Sequence, residues 1–224
     1  MNAAAGAPPP ETPHAILFDW DNTLVDTWPV IRDALNTTLT AFGHEPWTMA
    51  EVRVRVRNSV RDRFPKMFGD AWRDAADMFY ARYEEIHMTK LEPAPGAAEM
   101  LAGLAERELY LGLVSNKRGD ILRAEAEYLG WHDYFGAMVG ANDAVRDKPA
   151  ADPIKLALTP AGLEPGPSVW YAGDADIDME CAEASGCAGV LIRAEAPGPD
   201  EFSGFPPVLH FDGCMALSKF VDKM

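Results

Sequence analysis

The chain has 224 residues, 48% of them apolar, and a formal net charge of −15 at pH 7. That length is enough for one large domain, or a core domain with a smaller insertion, and for a sizeable core without disulfide or metal staples. The acidity excludes a general nucleic-acid binder, which needs a basic face to displace counterions, and it requires any anion site to be locally positive.

In chain order, residues 1–13 (MNAAAGAPPPETP) are small and proline-rich. They lack the positive n-region and apolar h-region of a signal peptide and read as a disordered tail. No run approaches the ~20 apolar residues of a membrane span. Residues 14–18 (HAILF) read as a buried strand that stops at an acidic loop, DWDNT. From 27 to about 92 the texture becomes helical, with Val30, Ala34, Leu35, Thr38, Leu39 and Phe42 on one stripe, and Thr27 before Pro29 suits a helix start. RVRVR at 53–57 alternates, yet no convincing strand is found in this stretch.

After EPAPG (92–96) strands and helices alternate. The pattern predicts a helix at 97–107, a strand at 110–115, a helix at 119–129 capped by Gly130, and a strand at 137–140. It then predicts a helix at 153–161, a strand at 168–174, a helix at 178–185, a strand at 188–192, a strand near 207–211 and a helix at 214–222. The expected fold is α/β: a Rossmann-like parallel sheet with helices on both faces, plus an inserted all-helical cap. The domain reading is a tail at 1–13, a core formed by 14–26 and 93–224, and a helical cap at 27–92. Cys181, Cys187 and Cys214, odd in number and without a CxxC pair, read as reduced thiols of a cytoplasmic protein and offer no zinc site. His14, His44, His87, His132 and His210 are scattered, without HExxH spacing, and read as ordinary residues.

In an open parallel sheet, ligands bind beyond the carboxyl ends of the strands. Four such ends or adjacent loops carry polar groups here: Asp19 and Asp21; Ser115 and Asn116; Lys148; and Asp174 with Asp176 and Asp178. Acids gathered in one crevice repel each other unless a cation sits among them, and an all-oxygen ligand set points to Mg²⁺. A lysine and a serine beside that cation suit a phosphoryl group, whose transfer needs mainly positioning and charge neutralisation. A carboxylate can itself be the nucleophile, forming an acyl phosphate.

The order DWDNTLVDT (19–27), LVSNK (113–117), DKPAADP (147–153) and YAGDADID (171–178) resembles the haloacid dehalogenase superfamily of phosphatases. The phosphoglycolate-phosphatase-like branch, with a small helical cap after the first motif, is the nearest match, over about residues 14–220. The resemblance implies Asp19 as nucleophile, Asp21 as general acid and base, and Thr23 as support for the loop. It implies Ser115 and the backbone N–H of Asn116 as phosphate ligands, and Lys148 as partner of both phosphate and nucleophile. Mg²⁺ would be held by Asp19, the Asp21 carbonyl and Asp174, with Asp178 orienting metal-bound water or its neighbours. Asn22 stands where the family has glycine, and Ala151 where it has proline; Asp176 has no assigned role and Asp26 reads as a structural loop acid.

The basic stretch Arg53–Lys66 reads mostly as a solvated helix face. Within it VRNSVRDRF (56–64) resembles the family's substrate loop, with Arg57 in place of its glycine. Asn58, Ser59 and Arg61 are therefore the candidates for facing the substrate. The expected function is Mg²⁺-dependent hydrolysis of a small phosphorylated metabolite, phosphoglycolate-like or a sugar phosphate, with no nucleic-acid or membrane partner. The alternatives are a sugar-phosphate mutase or a dehalogenase of the same fold, and a non-catalytic binding module. Asp21 and the Asp174–Asp178 pair argue against the dehalogenase, and the retention of Asp19 and Asp21 against the binding module.

Overall fold

The computed structural model describes residues 11–198 and 200–224. Most of the tail predicted at 1–13 lies outside the described residues. Of its last three, Glu11 accepts a hydrogen bond from Trp170 Nε1 through its carbonyl (3.1 Å), and Pro13 is buried. The chain divides into two compact units, one comprising residues up to Val25 and from Pro93 onward, the other Asp26–Glu92.

The first unit is built on a six-stranded sheet in which every pairing is parallel. Its strands are β1 (Ala15–Phe18), β4 (Tyr110–Arg118), β5 (Ala137–Ala141), β6 (Val169–Gly173), β7 (Ala188–Ile192) and β8 (Leu209–Phe211). Two two-residue strands, β2 (Val25–Asp26) and β3 (Glu92–Pro93), pair with each other. Sheet order is β5-β4-β1-β6-β7-β8. The unbroken apolar runs AILF, VWYAG and AGVLI are fully buried along their lengths, as strands covered on both faces must be. Ala15 and Leu17 pack with Ile154, Ala157, Leu158, Cys181 and Ala182 from α7 (Asp152–Leu158) and α8 (Asp176–Ser185). Ile16 and Phe18 point to the opposite side by alternation. Three more helices complete this unit: α5 (Ala97–Ala105), α6 (Gly119–Tyr128) and α9 (Cys214–Val221).

The chain winds from β1 out to β5, then crosses back to β6 on the other side of β1. The winding direction therefore reverses between β1 and β6, which is where a doubly wound sheet opens a crevice at its carboxyl edge. Asp19 follows β1 and Asp174 follows β6, so the two acids flank that point.

The second unit is helical: α1 (Trp28–Ala41), α2 (Met49–Arg55), α3 (Val60–Phe68) and α4 (Trp72–Lys90). The alternating RVRVR segment is helical through Arg55, started by a capping box between Thr48 and Glu51. Its polar faces are tied by Asp33, which pairs with Arg82 at 2.7 Å and Lys90 at 3.3 Å.

Several element ends differ from the sequence pattern. β4 continues past Ser115 to Arg118, because its pairing with β5 slips register between Val114 and Arg118 and then resumes at Ala141. The bulge lets the strand carry polar residues without ending. α8 begins at Asp176 rather than at 178, with Asp178 Oδ2 accepting from the Ala175 N–H at 3.1 Å. The acids at 176 and 178 thus lie in a first helical turn, where the helix dipole favours them. α7 starts at Asp152 and ends at Leu158, and a separate 3₁₀ turn covers Thr159–Ala161.

Candidate active site

The loop after β1 is a tight turn: the N–H groups of Leu24 and Val25 both donate to the Trp20 carbonyl, at 3.0 and 3.2 Å. Asn22 sits at φ 64°, the left-handed region that Asn tolerates better than other side-chain-bearing residues. The turn leaves Asp19 at the strand end, 6% exposed, with its N–H donating to Ala172 of β6 at 2.8 Å.

Lys148 reaches this point from the loop after β5. Its side chain is 2% exposed, and Nζ lies 2.8 Å from both Asp19 Oδ1 and Asp178 Oδ1. The side-chain amide of Asn116 holds the Lys148 backbone, accepting from its N–H at 3.0 Å and donating to its carbonyl at 3.2 Å. Ser115 is buried, and its Oγ accepts from the Lys117 N–H at 3.2 Å. Asp178 is fully buried, and Tyr171 Oη stands 3.0 Å from its Oδ1 and 2.8 Å from the Val114 carbonyl. Gly173 makes this packing possible, since a Cβ there would collide with the Asp178 carboxylate. Thr23 Oγ1 donates to Asp174 Oδ1 at 3.4 Å.

Asp19, Asp174 and Asp178 each offer a carboxylate oxygen, and these atoms all lie within 4.8 Å of one another. Three carboxylates facing one ammonium leave an excess of two negative charges when all are ionised, which matches a divalent cation. Asp19 Oδ1 lies 2.8 Å from the Lys148 ammonium, and a carboxylate keeps further lone pairs for another ligand. The set is all oxygen, as a hard cation prefers. Burial and mutual repulsion govern the ionisation of these groups. Burial lifts the Asp19 carboxyl to about 6, with Lys148 opposing and the charges of Asp178 and Asp21 adding. Burial, then Asp178 and Asp19, push Asp174 well above the ordinary carboxylate range. For Lys148 burial works against the charge, but the carboxylates of Asp178 and Asp19 more than offset it and hold the ammonium protonated. Burial and the same two acids raise the Tyr171 phenol well above its usual value.

The structure thus gathers Asp19, Asp174, Asp178 and Lys148 at one sheet edge. Asp21 is engaged by Lys117, whose Nζ lies 2.6 Å from Asp21 Oδ1 and also 2.6 Å from Glu125 Oε2. The sequence pattern does not mark Lys117, Glu125 or Tyr171 as site residues. Lys117 lies inside the LVSNK motif, two residues beyond Ser115, and that proximity was the available signal.

The candidates Asn58, Ser59 and Arg61 belong to the helical unit. Asn58 is exposed and Arg61 partly buried. Ser59 is 2% exposed and its hydroxyl donates to Asp62 at 3.3 Å, so it is engaged at the start of α3. Of the basic stretch, Arg55 pairs with Glu51 at 3.1 Å and lies over Trp47, and Arg53 lies 6.0 Å from the Trp28 ring centre. Asp176, without an assigned role, is the first residue of α8.

The model of the haloacid dehalogenase-like hydrolase family matches residues 16–192. A phosphoglycolate phosphatase of Cereibacter sphaeroides is 32% identical over 185 residues, covering 79% of this chain and 84% of its own length. One from Chromobacterium violaceum is 27% identical over 187 residues, with 80% and 84% covered. In fold, a predicted phosphoglycolate phosphatase from Haemophilus somnus superposes with a TM-score of 0.80 at 22% identity, covering 93% of this chain and 97% of its own. No described helix is long and apolar enough to cross a membrane. The sheet order, the acids at the switch between β1 and β6, and the family match over most of the chain agree: this protein belongs to the haloacid dehalogenase-like hydrolases, on their phosphoglycolate-phosphatase-like side.

Proposed function

We propose that this protein is a Mg²⁺-dependent phosphatase of a small phosphorylated metabolite, phosphoglycolate-like or a sugar phosphate, acting through an aspartyl-phosphate at Asp19. The observation that carries the reading is the buried Asp19–Lys148–Asp178 array with Asp174 beside it. Asp19 and Asp174, with the Asp21 carbonyl, would hold the cation, and Asp178 would orient their surroundings. Bound there, Mg²⁺ neutralises the carboxylates and draws charge from the phosphoryl oxygens.

The chain's own residues do the rest. A carboxylate oxygen of Asp19 attacks phosphorus in line with the ester oxygen. The P–O(ester) bond breaks as Asp21 gives its proton to the leaving oxygen, releasing the alcohol. Lys148 and Ser115, with the Asn116 N–H, hold the phosphoryl oxygens through the transfer. Asp21, now a carboxylate, takes a proton from water as that water attacks phosphorus. Phosphate leaves and Asp19 is restored. Lys148 keeps its proton throughout and serves as a fixed charge. The relatives' names support the substrate class, and the three free, buried thiols suit a reducing compartment such as the cytoplasm. A panel of phosphorylated metabolites, assayed with Mg²⁺ and with EDTA, tests the reading. Phosphate release that stops in EDTA and returns with Mg²⁺ is expected; full release in EDTA after dialysis would overturn it.

A further inference from the structure

Lys117 takes part in none of the steps above, yet its side chain is only 4% exposed and sits between two carboxylates. Its Nζ lies 2.6 Å from Asp21 Oδ1 and 2.6 Å from Glu125 Oε2. Glu125 is fully buried on α6, and the same Oε2 accepts from Trp20 Nε1 at 2.7 Å. Trp20 is itself fully buried, stands between Asp19 and Asp21 in the chain, and packs edge-on against Trp131 at 5.8 Å.

A lysine on the surface would hold an aspartate loosely. Here each link is short, and Lys117, Glu125 and Trp20 are all buried, with Asp21 partly so. Such an array is a poor device for stability, because removing ions from water costs several kcal/mol each, and apolar side chains of equal volume commonly serve as well. What it does is fix the place of one atom, Asp21 Oδ1. Trp20 sets Glu125, Glu125 sets the ammonium, and the ammonium sets the carboxyl plane of Asp21. Proton transfer to a leaving oxygen depends steeply on that placement, since a misplacement of about 1 Å can cost on the order of a hundredfold.

Resting on the phosphatase reading, we infer that Lys117, seated by Glu125 and Trp20, is the positioning residue for the Asp21 carboxyl in proton transfer to the leaving group. An alkyl phosphate needs that proton, because an alkoxide is a poor leaving group. p-Nitrophenyl phosphate does not, because its phenolate leaves unassisted.

The test compares kcat/KM for these two ester types, since that ratio covers the steps through the first phosphoryl transfer. Lys117→Met keeps the apolar stem and removes the charge. It should lower kcat/KM roughly ten- to a hundredfold for the best alkyl phosphate and by less than about threefold for p-nitrophenyl phosphate. Trp20→Phe loses only the N–H donor to Glu125 while keeping an aromatic ring, and should show the same selective loss at smaller size; it carries the test if Lys117→Met does not fold. The Tm increase on adding Mg²⁺ should persist in both, because neither change touches the cation's carboxylates. Equal losses on the two esters, or no loss on either, would overturn the inference and leave the phosphatase reading standing. A wild type that hydrolyses neither ester would overturn that reading, and this inference with it.

Discussion

Lys148→Met is the most informative single change to the sheet unit. It removes an ammonium that lies 2.8 Å from Asp19 Oδ1 and 2.8 Å from Asp178 Oδ1, in a side chain 2% exposed, and leaves a stem of similar volume. Deleting one partner of a buried ion pair strands the other and costs about 3–5 kcal/mol. Both the fully buried Asp178 and Asp19, whose carboxyl burial already lifts to about 6, lose that counter-charge. The sign with pH follows. Losing Lys148 raises the folded-state pKa of Asp19 further above its unfolded value. The folded variant then binds more protons than the unfolded chain, so its stability rises as pH falls through the folded pKa. The deficit relative to wild type should therefore be largest near pH 8 and shrink toward pH 5. Because the chain has two compact units, a global transition would not separate a loss in the sheet unit from one in the helical unit. Native-state hydrogen exchange of the β1 and β6 amides in metal-free protein reports the sheet unit directly. Wild-type and variant free energies within about 1 kcal/mol at pH 8 would refute the argument that Lys148 is a buried counter-charge to these two acids.

Asp19→Asn should abolish turnover while the metal-free protein folds at least as stably as wild type, since a repelling charge leaves the cluster; more than roughly a tenth of wild-type turnover would contradict its role. Mg²⁺ at about a hundred times its Kd should stabilise the fold by roughly 2.7 kcal/mol, or about 5–11 °C in Tm, and Asp174→Asn should lose most of that gain in a thermal-shift titration. Arg61→Ala should lower kcat/KM for the preferred metabolite about ten- to a hundredfold more than for p-nitrophenyl phosphate, whereas Lys148→Ala should harm both alike; unchanged ratios for Arg61→Ala would make it an ordinary helix-surface residue.

What the sequence made legible was the part of the molecule where local pattern and burial coincide. AILF, VWYAG and AGVLI are strands buried on both faces, so their apolar runs announce them. The acids and lysine of the site sit just beyond such runs, and their order along the chain matched a known motif set. The rest depends on tertiary placement. Glu125 lies in a helix that reads as amphipathic, where an acid is ordinarily solvated; only the approach of Trp20 and Lys117 makes it a buried anchor. Tyr171 reads as one more core strand residue until its hydroxyl meets Asp178. The extension of β4 through Lys117 rests on Arg118 pairing with Ala141, a partner 23 residues away that no local pattern reveals. In the helical unit, Arg53 and Arg55 are exposed, as a solvated face requires, but their contacts with indole rings and the inward turn of Ser59 are not legible in the local pattern.

Reductive trapping of the working enzyme tests the central claim most directly. Borohydride reduces an acyl phosphate to an alcohol but leaves free carboxylates untouched. Protein quenched into borohydride during turnover of its best substrate with Mg²⁺, then digested and sequenced by mass spectrometry, should carry homoserine at position 19, and none without substrate. Turnover with every aspartate intact, or homoserine at another position, would contradict an aspartyl-phosphate at Asp19.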